Sequence, residues 1–178
     1  MGDGRGRGRL HRAPRRGRRP DRPLWRGGRP AAVDALLDDG GADRVRLTRS
    51  AREALGAARA KGWICAIVTN GRVAQQEAKF RRTGLDQLVH DWAVSEGVGH
   101  QNPDPRIFRA AADDIEAHLA GAWVIGDSPH ADIAGAHALG LRSAWVTDGR
   151  VWAQDAYRST HVARDVAAAI RHAITASE

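Results

Sequence analysis

Uninterrupted apolar runs alternate with amphipathic segments along most of this chain. The apolar runs predict buried β-strands at 63–68, 92–94, 122–125 and 143–146. Between them, apolar residues recur every three or four positions, which predicts helices that include 73–82 and 132–139. Strands that alternate with helices predict an α/β fold with a doubly wound, mostly parallel Rossmann-like sheet. Ligands of such sheets bind at the carboxyl ends of the strands.

Local signals predict where several further helices begin and end. Residues 50–53 have the S-x-x-E spacing of a capping box, so we expect a helix to begin there and to end at Gly62. Asp104 followed by proline predicts another helix start. We also predict a short helix over 32–37 and a final helix whose buried stripe begins at Val162.

The first 30 residues differ in composition from the rest of the chain. They contain 11 Arg, 7 Gly and 4 Pro against two acidic residues, so this segment alone carries a charge of +9. The whole chain has 28 basic and 21 acidic residues, which leaves 17 basic and 19 acidic residues after position 30. A segment of this kind cannot bury a core, and we expect it to be disordered. Binding to nucleic acid is expected only if this arm provides it.

Cysteine, histidine and hydropathy patterns exclude several classes of protein. The chain has one cysteine, Cys65, which excludes a disulfide scaffold and favours a reducing compartment. Its position within an apolar run favours a core residue over a nucleophile. The eight histidines show no metal-binding spacing, and no apolar run is long enough to span a membrane. We therefore expect a cytoplasmic protein without a membrane partner.

Two predicted strand ends carry polar residues of types that bind anions or metal ions. Thr69, Asn70 and Gly71 place a hydroxyl and backbone N–H groups at a helix N-terminus, an arrangement that suits an anion. Asp127 and Asp132 lie on another strand-to-helix loop, where two carboxylates suit Mg²⁺. Each feature also has a structural alternative, because these residue types commonly cap helices or occupy loops.

In this order, Thr69-Asn70-Gly71, the segment 102–108 and Gly126 to Asp132 resemble the haloacid dehalogenase-like (HAD) hydrolase superfamily, in its phosphatase-like branch. The resemblance extends over roughly residues 47 to 173. It implies that the first segment binds phosphate, that Asp127 with the support of Asp132 holds Mg²⁺, and that the substrate is a small phosphorylated compound. Charge stabilisation by the metal and by hydrogen-bond donors then does most of the catalytic work.

One departure from the family pattern concerns the third motif. The family has a lysine immediately before Pro-Asp-Pro, and this chain has Asn102 there. Asparagine supplies hydrogen bonds without the positive charge of lysine. The loss of a charge-assisted contact of this kind is expected to slow the reaction by about 10² to 10³.

A second departure concerns the start of the fold. Family members carry an Asp-x-Asp motif after their first strand, and its first aspartate attacks the phosphate while the second serves as acid and base. No apolar strand that ends in this motif precedes residue 62. We therefore expect the nucleophile, the central first strand and most of the cap domain to be missing. The expected organisation is a tail at 1–30, a remnant of the cap or a linker at 31–46, and the α/β core at 47–178.

Two functional hypotheses follow from these observations. The first is a truncated or mis-started Mg²⁺-dependent HAD hydrolase that has little phosphatase activity. The second is a catalytically inactive HAD-like binding module that either retains a pocket for phosphate and metal or uses its Arg/Gly arm to contact nucleic acid.

Overall fold

A six-stranded, fully parallel sheet forms the centre of the protein, with the strand order β3-β2-β1-β4-β5-β6. The computed structural model describes residues 29–33, 47–153 and 155–178. The strands are β1 Arg29–Val33, β2 Trp63–Thr69, β3 Asp91–Val94, β4 Trp123–Gly126, β5 Arg142–Val146 and β6 His161–Ala163. The predicted doubly wound parallel sheet is confirmed.

Helices cover both faces of this sheet. They are α1 Arg49–Ala60, α2 Val73–Thr83, α3 Ser95–Val98, α4 Pro105–Asp114, α5 Ala134–Ala138 and α6 Val166–Thr175. A short 3₁₀ turn, Leu85–Gln87, follows α2, and a π-helical turn, Pro129–Ile133, leads into α5. The starts predicted for α2 and α4 are confirmed, since Val73 begins the first and Asp104 accepts a hydrogen bond from Arg106 N at the start of the second.

The core consists of two apolar clusters, one on each face of the sheet. The larger cluster joins α1, α2 and α6 to the sheet through residues that include Leu55, Phe80, Trp123 and Ile170. The smaller cluster packs α4 and α5 against the opposite face, with Ile107 and Phe108 among its members. Each large apolar side chain that is fully buried contributes about 1.5 to 3 kcal/mol to folding. The two clusters therefore hold the carboxyl ends of the strands in fixed positions.

The expected loss of the central strand is wrong. β1 lies between β2 and β4 and pairs with both in parallel, with Ala31 opposite Cys65 on one side and Trp123 on the other. The pattern did not reveal this strand because Val33 is its only β-branched residue and because it contains Pro30, which has no N–H to donate to a neighbouring strand.

Other boundaries also differ from the predictions. The tail boundary at residue 30 falls inside β1, and the helix expected over 32–37 begins within the same strand. The side chain that caps α1 belongs to Thr48, which accepts a hydrogen bond from Ala51 N, so Ser50 lies inside the helix. Val162 belongs to β6 rather than to the last helix. The remaining tail and linker predictions, at 1–28 and 34–46, lie outside the described residues.

Cys65 occupies the middle of β2 and is 1% exposed. Burial raises the pKa of its thiol to about 12. A thiol in this environment stays protonated near neutral pH and is a poor nucleophile. The interpretation of Cys65 as a core residue is confirmed.

No helix in the described part of the chain has the length and hydrophobicity needed to cross a lipid bilayer.

The turn after β4 depends on the small size of Gly126. A Cβ atom at this position would lie 2.1 Å from Asp132 Oδ2 and 2.2 Å from Asp132 Cβ. Asp132 is only 3% exposed and is held by hydrogen bonds from Ser128 N and Asn102 Nδ2, so its carboxylate cannot move aside without losing them. Glycine is therefore required by the close approach of this carboxylate to the strand.

We expect Gly126→Ala to lower the free energy of unfolding by about 1 to 3 kcal/mol, because the added methyl group displaces the Asp132 carboxylate. Urea denaturation followed by circular dichroism measures this change. Gly56→Ala is the matched control, since Gly56 lies in α1 with nothing within 4 Å of a new Cβ. The control is expected to stabilise the protein by about 0.5 to 1 kcal/mol. Equal stability of Gly126→Ala and the wild type would contradict the steric requirement for glycine at this position.

Two histidine rings stack where β6 meets α6. The ring centroids of His161 and His172 are 3.5 Å apart and their planes differ by 5°. His172 also contacts the Trp123 ring edge-on, at 5.5 Å. Burial, and then the charge of His172, lower the pKa of His161 below its ordinary value of 6.5. The folded state therefore favours a neutral His161.

Acidification is expected to weaken this contact. A histidine whose pKa is lowered by folding contributes its stability above the unfolded pKa, near 6.5, and that stability is lost as the pH falls below it. We expect His161→Phe, which keeps an aromatic ring but cannot be protonated, to show a smaller fall in melting temperature between about pH 7.5 and about pH 5.5. His118→Phe, at an exposed position, is the control. Parallel loss of stability in His161→Phe and the wild type would overturn this expectation.

Candidate active site

Three segments that carry the predicted site residues meet at the carboxyl edge of the sheet. β2 ends at Thr69 and β4 ends at Gly126, and both strands flank β1 in parallel. Val33, the last residue of β1, lies opposite Ile125 of β4. The sheet topology therefore brings the Thr69 turn and the Asp127 loop to the same edge.

Asn102 links the loops that follow β2 and β4. Its backbone N–H donates to Asn70 Oδ1 at 2.8 Å, and Asn70 Nδ2 donates to the Asn102 carbonyl at 3.0 Å. Its side-chain Nδ2 donates to Asp132 Oδ1 at 2.8 Å in a buried environment. A continuous path of hydrogen bonds thus runs from Asn70 through Asn102 to Asp132. The peptide bond that follows Asn102 is cis.

Asp132 holds its own loop in place. Besides the bond from Asn102, its Oδ2 atom accepts a hydrogen bond from Ser128 N at 3.0 Å. Ser128 Oγ in turn accepts a hydrogen bond from Ala131 N at the start of the π-helical turn. Because both carboxylate oxygens of Asp132 are engaged by protein donors, its role in the structure is to fix the loop that carries Asp127.

Asp127 is more accessible than Asp132 and contacts a cation. Its Oδ2 atom accepts a hydrogen bond from Arg150 Nη2 at 2.8 Å, and its side chain is 35% exposed. Its carbonyl oxygen accepts a hydrogen bond from Trp145 Nε1 at 3.0 Å. Both partners come from β5 and the turn that follows it, so this neighbouring strand helps to position Asp127.

The predicted phosphate-binding residues have different surroundings. The Thr69 hydroxyl lies 3.4 Å from the Asn70 carbonyl, a distance at the limit of a hydrogen bond, so it can turn to an incoming oxygen. The Gly71 N–H donates to Ser95 Oγ at 2.9 Å. The side chain of Asn70 is committed to Asn102, and its carbonyl accepts a hydrogen bond from Gln76 Nε2 at 3.0 Å. Asn70 and Gly71 therefore maintain the shape of the turn, and Thr69 provides a hydroxyl that can donate to an incoming oxygen.

His100 and Arg72 are basic residues that could replace the lysine expected at position 102, and they have different surroundings. His100 Nδ1 is 3.8 Å from Asp104 Oδ2, and Arg72 is an exposed residue at the start of α2. The hydrogen bond from the Arg106 side chain, followed by that from its backbone N–H, holds the pKa of Asp104 well below its usual range. Asp104 is therefore an ionised helix cap. Arg150, which lies outside the three motif segments, contacts a candidate metal ligand directly.

Asp127 is a suitable ligand for Mg²⁺. The described residues hold no cluster of three or more His, Cys, Asp or Glu side chains. Mg²⁺ commonly uses one or two carboxylates and keeps several water molecules, so a single accessible aspartate agrees with its preferences. Asp127 would hold the ion, and the engaged oxygens of Asp132 suit a supporting role.

Known proteins are similar in sequence to this chain over part of their length. The phosphoserine phosphatase of Thermus thermophilus is 34% identical over 125 residues, which cover 69% of this chain and 50% of that protein. The glyceraldehyde 3-phosphate phosphatase of Pyrococcus furiosus is 28% identical over 106 residues, which cover 60% and 44% of the two chains. The chain therefore spans about half the length of these curated relatives.

A solved structure supports the same relationship. The HAD-hydrolase YfnB from Bacillus subtilis, determined with bound magnesium, superimposes with a TM-score of 0.62 and 27% identity. The match covers 67% of this chain and 53% of YfnB. The family model of haloacid dehalogenase-like hydrolases matches residues 16–140, a range that includes β1, β2 and β4. This chain belongs to the haloacid dehalogenase-like hydrolase family.

Proposed function

We propose that this chain is a Mg²⁺-dependent phosphomonoesterase that acts on a small phosphorylated compound. The observation that carries the proposal is the hydrogen-bonded path Asn70–Asn102–Asp132, which joins three motif segments at one edge of the sheet. The named substrates of two relatives, phosphoserine and glyceraldehyde 3-phosphate, support the substrate class, since both are small phosphate esters.

In this proposal the side chains divide the work of binding. The Thr69 hydroxyl donates a hydrogen bond to an oxygen of the transferring phosphoryl group. Asp127 holds Mg²⁺, and Asp132 keeps the Asp127 loop in position. When bound, Mg²⁺ neutralises the negative charge that the phosphate ester brings and that its oxygens carry during transfer.

The position of β1 suggests a nucleophile. Asp34 is the next residue in the sequence after Val33, which ends this central strand. In the family the first aspartate after the first strand attacks phosphorus, the ester oxygen leaves with a proton, and water then releases phosphate from the aspartate. We propose this role for Asp34. The position of the second family aspartate holds Leu36, so water must supply the proton that an acid would otherwise donate.

We expect the purified chain to release phosphate slowly from p-nitrophenyl phosphate, with a requirement for Mg²⁺. Asp127→Asn should abolish this release because a neutral amide is a poor ligand for Mg²⁺, and Asp34→Asn should abolish it by removing the nucleophile. The measurement is phosphate production at saturating substrate. Asp155→Asn is the control, because the Asp155 side chain is fully exposed. Turnover that does not need Mg²⁺, or that survives Asp127→Asn, would refute the proposal.

Asn102→Lys should raise the turnover. The substitution restores a positive charge while the backbone contacts of residue 102 with Asn70 remain available. We expect kcat to increase by about 10-fold to 10³-fold, the range associated with a charge-assisted contact in such a site. Asn102→Gln, which adds length without charge, is the control and should give no increase. Equal rates for the lysine and glutamine variants would show that charge at this position is not what limits the reaction.

A second candidate function is binding without turnover. It is favoured by Asn102 and Leu36, which stand where the family has a lysine and an acid. In that case calorimetry would detect binding of Mg²⁺ and inorganic phosphate, and no variant at Asn102 would produce phosphate release.

A further inference from the structure

We propose that Arg150 is an anion-binding residue of this site and that its guanidinium supplies part of the positive charge lost at Asn102. The inference rests on the proposed function, because the anion in question is the phosphoryl group of the substrate. No motif that identified the site includes Arg150, which lies on the turn after β5.

The first support is direct contact with the candidate metal ligand. Arg150 Nη2 donates to Asp127 Oδ2 at 2.8 Å, so the guanidinium lies beside the carboxylate that would hold Mg²⁺. A substrate phosphoryl group bound to that ion would be within reach of the same guanidinium. The Arg150 side chain is 49% exposed, which leaves it accessible to a ligand.

The second support is that the guanidinium is positioned in advance. Arg150 N donates to the Thr147 carbonyl at 2.7 Å, and its Nε donates to the same oxygen at 3.2 Å. The turn between them places Asp148 and Gly149 in the left-handed region, with φ values of 42° and 78°. The hydrogen bond from Trp145 Nε1 to the Asp127 carbonyl fixes the end of β5 against the loop.

The third support is that the guanidinium of Arg150 has a donor nitrogen to spare for a ligand. The contacts of Arg150 with the described residues use Nε and Nη2. Nη1 makes no hydrogen bond with these residues and can donate to a phosphate oxygen. A planar guanidinium can hold a carboxylate and a phosphate at the same time, which a lysine ammonium does less well.

The charge balance of the site favours the same assignment. Asp127 and Asp132 bring two carboxylates to the loop, and a phosphate monoester adds further negative charge. Asn102 contributes no charge to offset them. A cation next to Asp127 reduces the repulsion that a phosphate would meet, and it also competes with Mg²⁺ for the same carboxylate. Removal of Arg150 should therefore affect the two ligands in opposite directions.

The experiment uses the full chain and two calorimetric titrations, the first with MgCl₂ alone and the second with inorganic phosphate at saturating Mg²⁺. In Arg150→Gln we expect phosphate to bind about 10-fold to 100-fold more weakly, the range of one charge-assisted contact. We expect Mg²⁺ to bind several-fold more tightly, because Asp127 loses a competing cation. Arg150→Lys keeps the charge and should recover part of the phosphate affinity.

Arg158→Gln is the matched control, since Arg158 lies on the same segment with 65% of its side chain exposed and pairs with Asp155. Both of its affinities should match those of the wild type. Unchanged phosphate affinity in Arg150→Gln, or weaker Mg²⁺ binding, would overturn the role of Arg150 while leaving the proposed function intact. A wild-type chain that binds neither ligand would instead contradict the proposed function, and the inference with it.

Discussion

A buried carboxylate must be hydrogen-bonded, and the geometry of this site follows from how Asp132 meets that requirement. One oxygen accepts a hydrogen bond from a backbone N–H of its own loop, and the other accepts one from the side chain of Asn102, whose backbone is hydrogen-bonded to the turn after β2. To leave such a carboxylate without donors would cost several kcal/mol. The hydrogen bonds of Asp132 therefore couple the position of the loop after β4 to that of the turn after β2. Gly126 permits this arrangement by leaving room for the carboxylate.

The central strand β1 supports the site, although the sequence pattern did not predict it. β1 pairs on both sides, so its backbone direction is set by β2 and β4 rather than by its own small side chains. A parallel sheet aligns the carboxyl ends of its strands, so Val33 ends β1 at the same edge as Thr69 of β2 and Gly126 of β4. The absence of a long apolar run in the sequence is therefore a poor guide to the absence of a central strand.

Several features could be predicted from the sequence because single segments determine them. The apolar run of β2 and the Asp104 cap of α4 are local signals, and both are found in the structure. β1 could not be predicted, because Pro30 and the lack of an apolar run obscure a strand that pairing with its neighbours stabilises. Arg150 could not be predicted either, since its contact with Asp127 spans two strands and no spacing along the chain encodes it.

The burial of Cys65 gives the protein an internal reporter of its own opening. It is the single thiol of the chain and sits next to β1 at the middle of the sheet. A thiol reagent can reach it only when the sheet separates or a helix lifts away, so the rate of modification follows the population of opened molecules. The labelling rate would thus measure how often the sheet or a covering helix opens around Cys65, without any added probe.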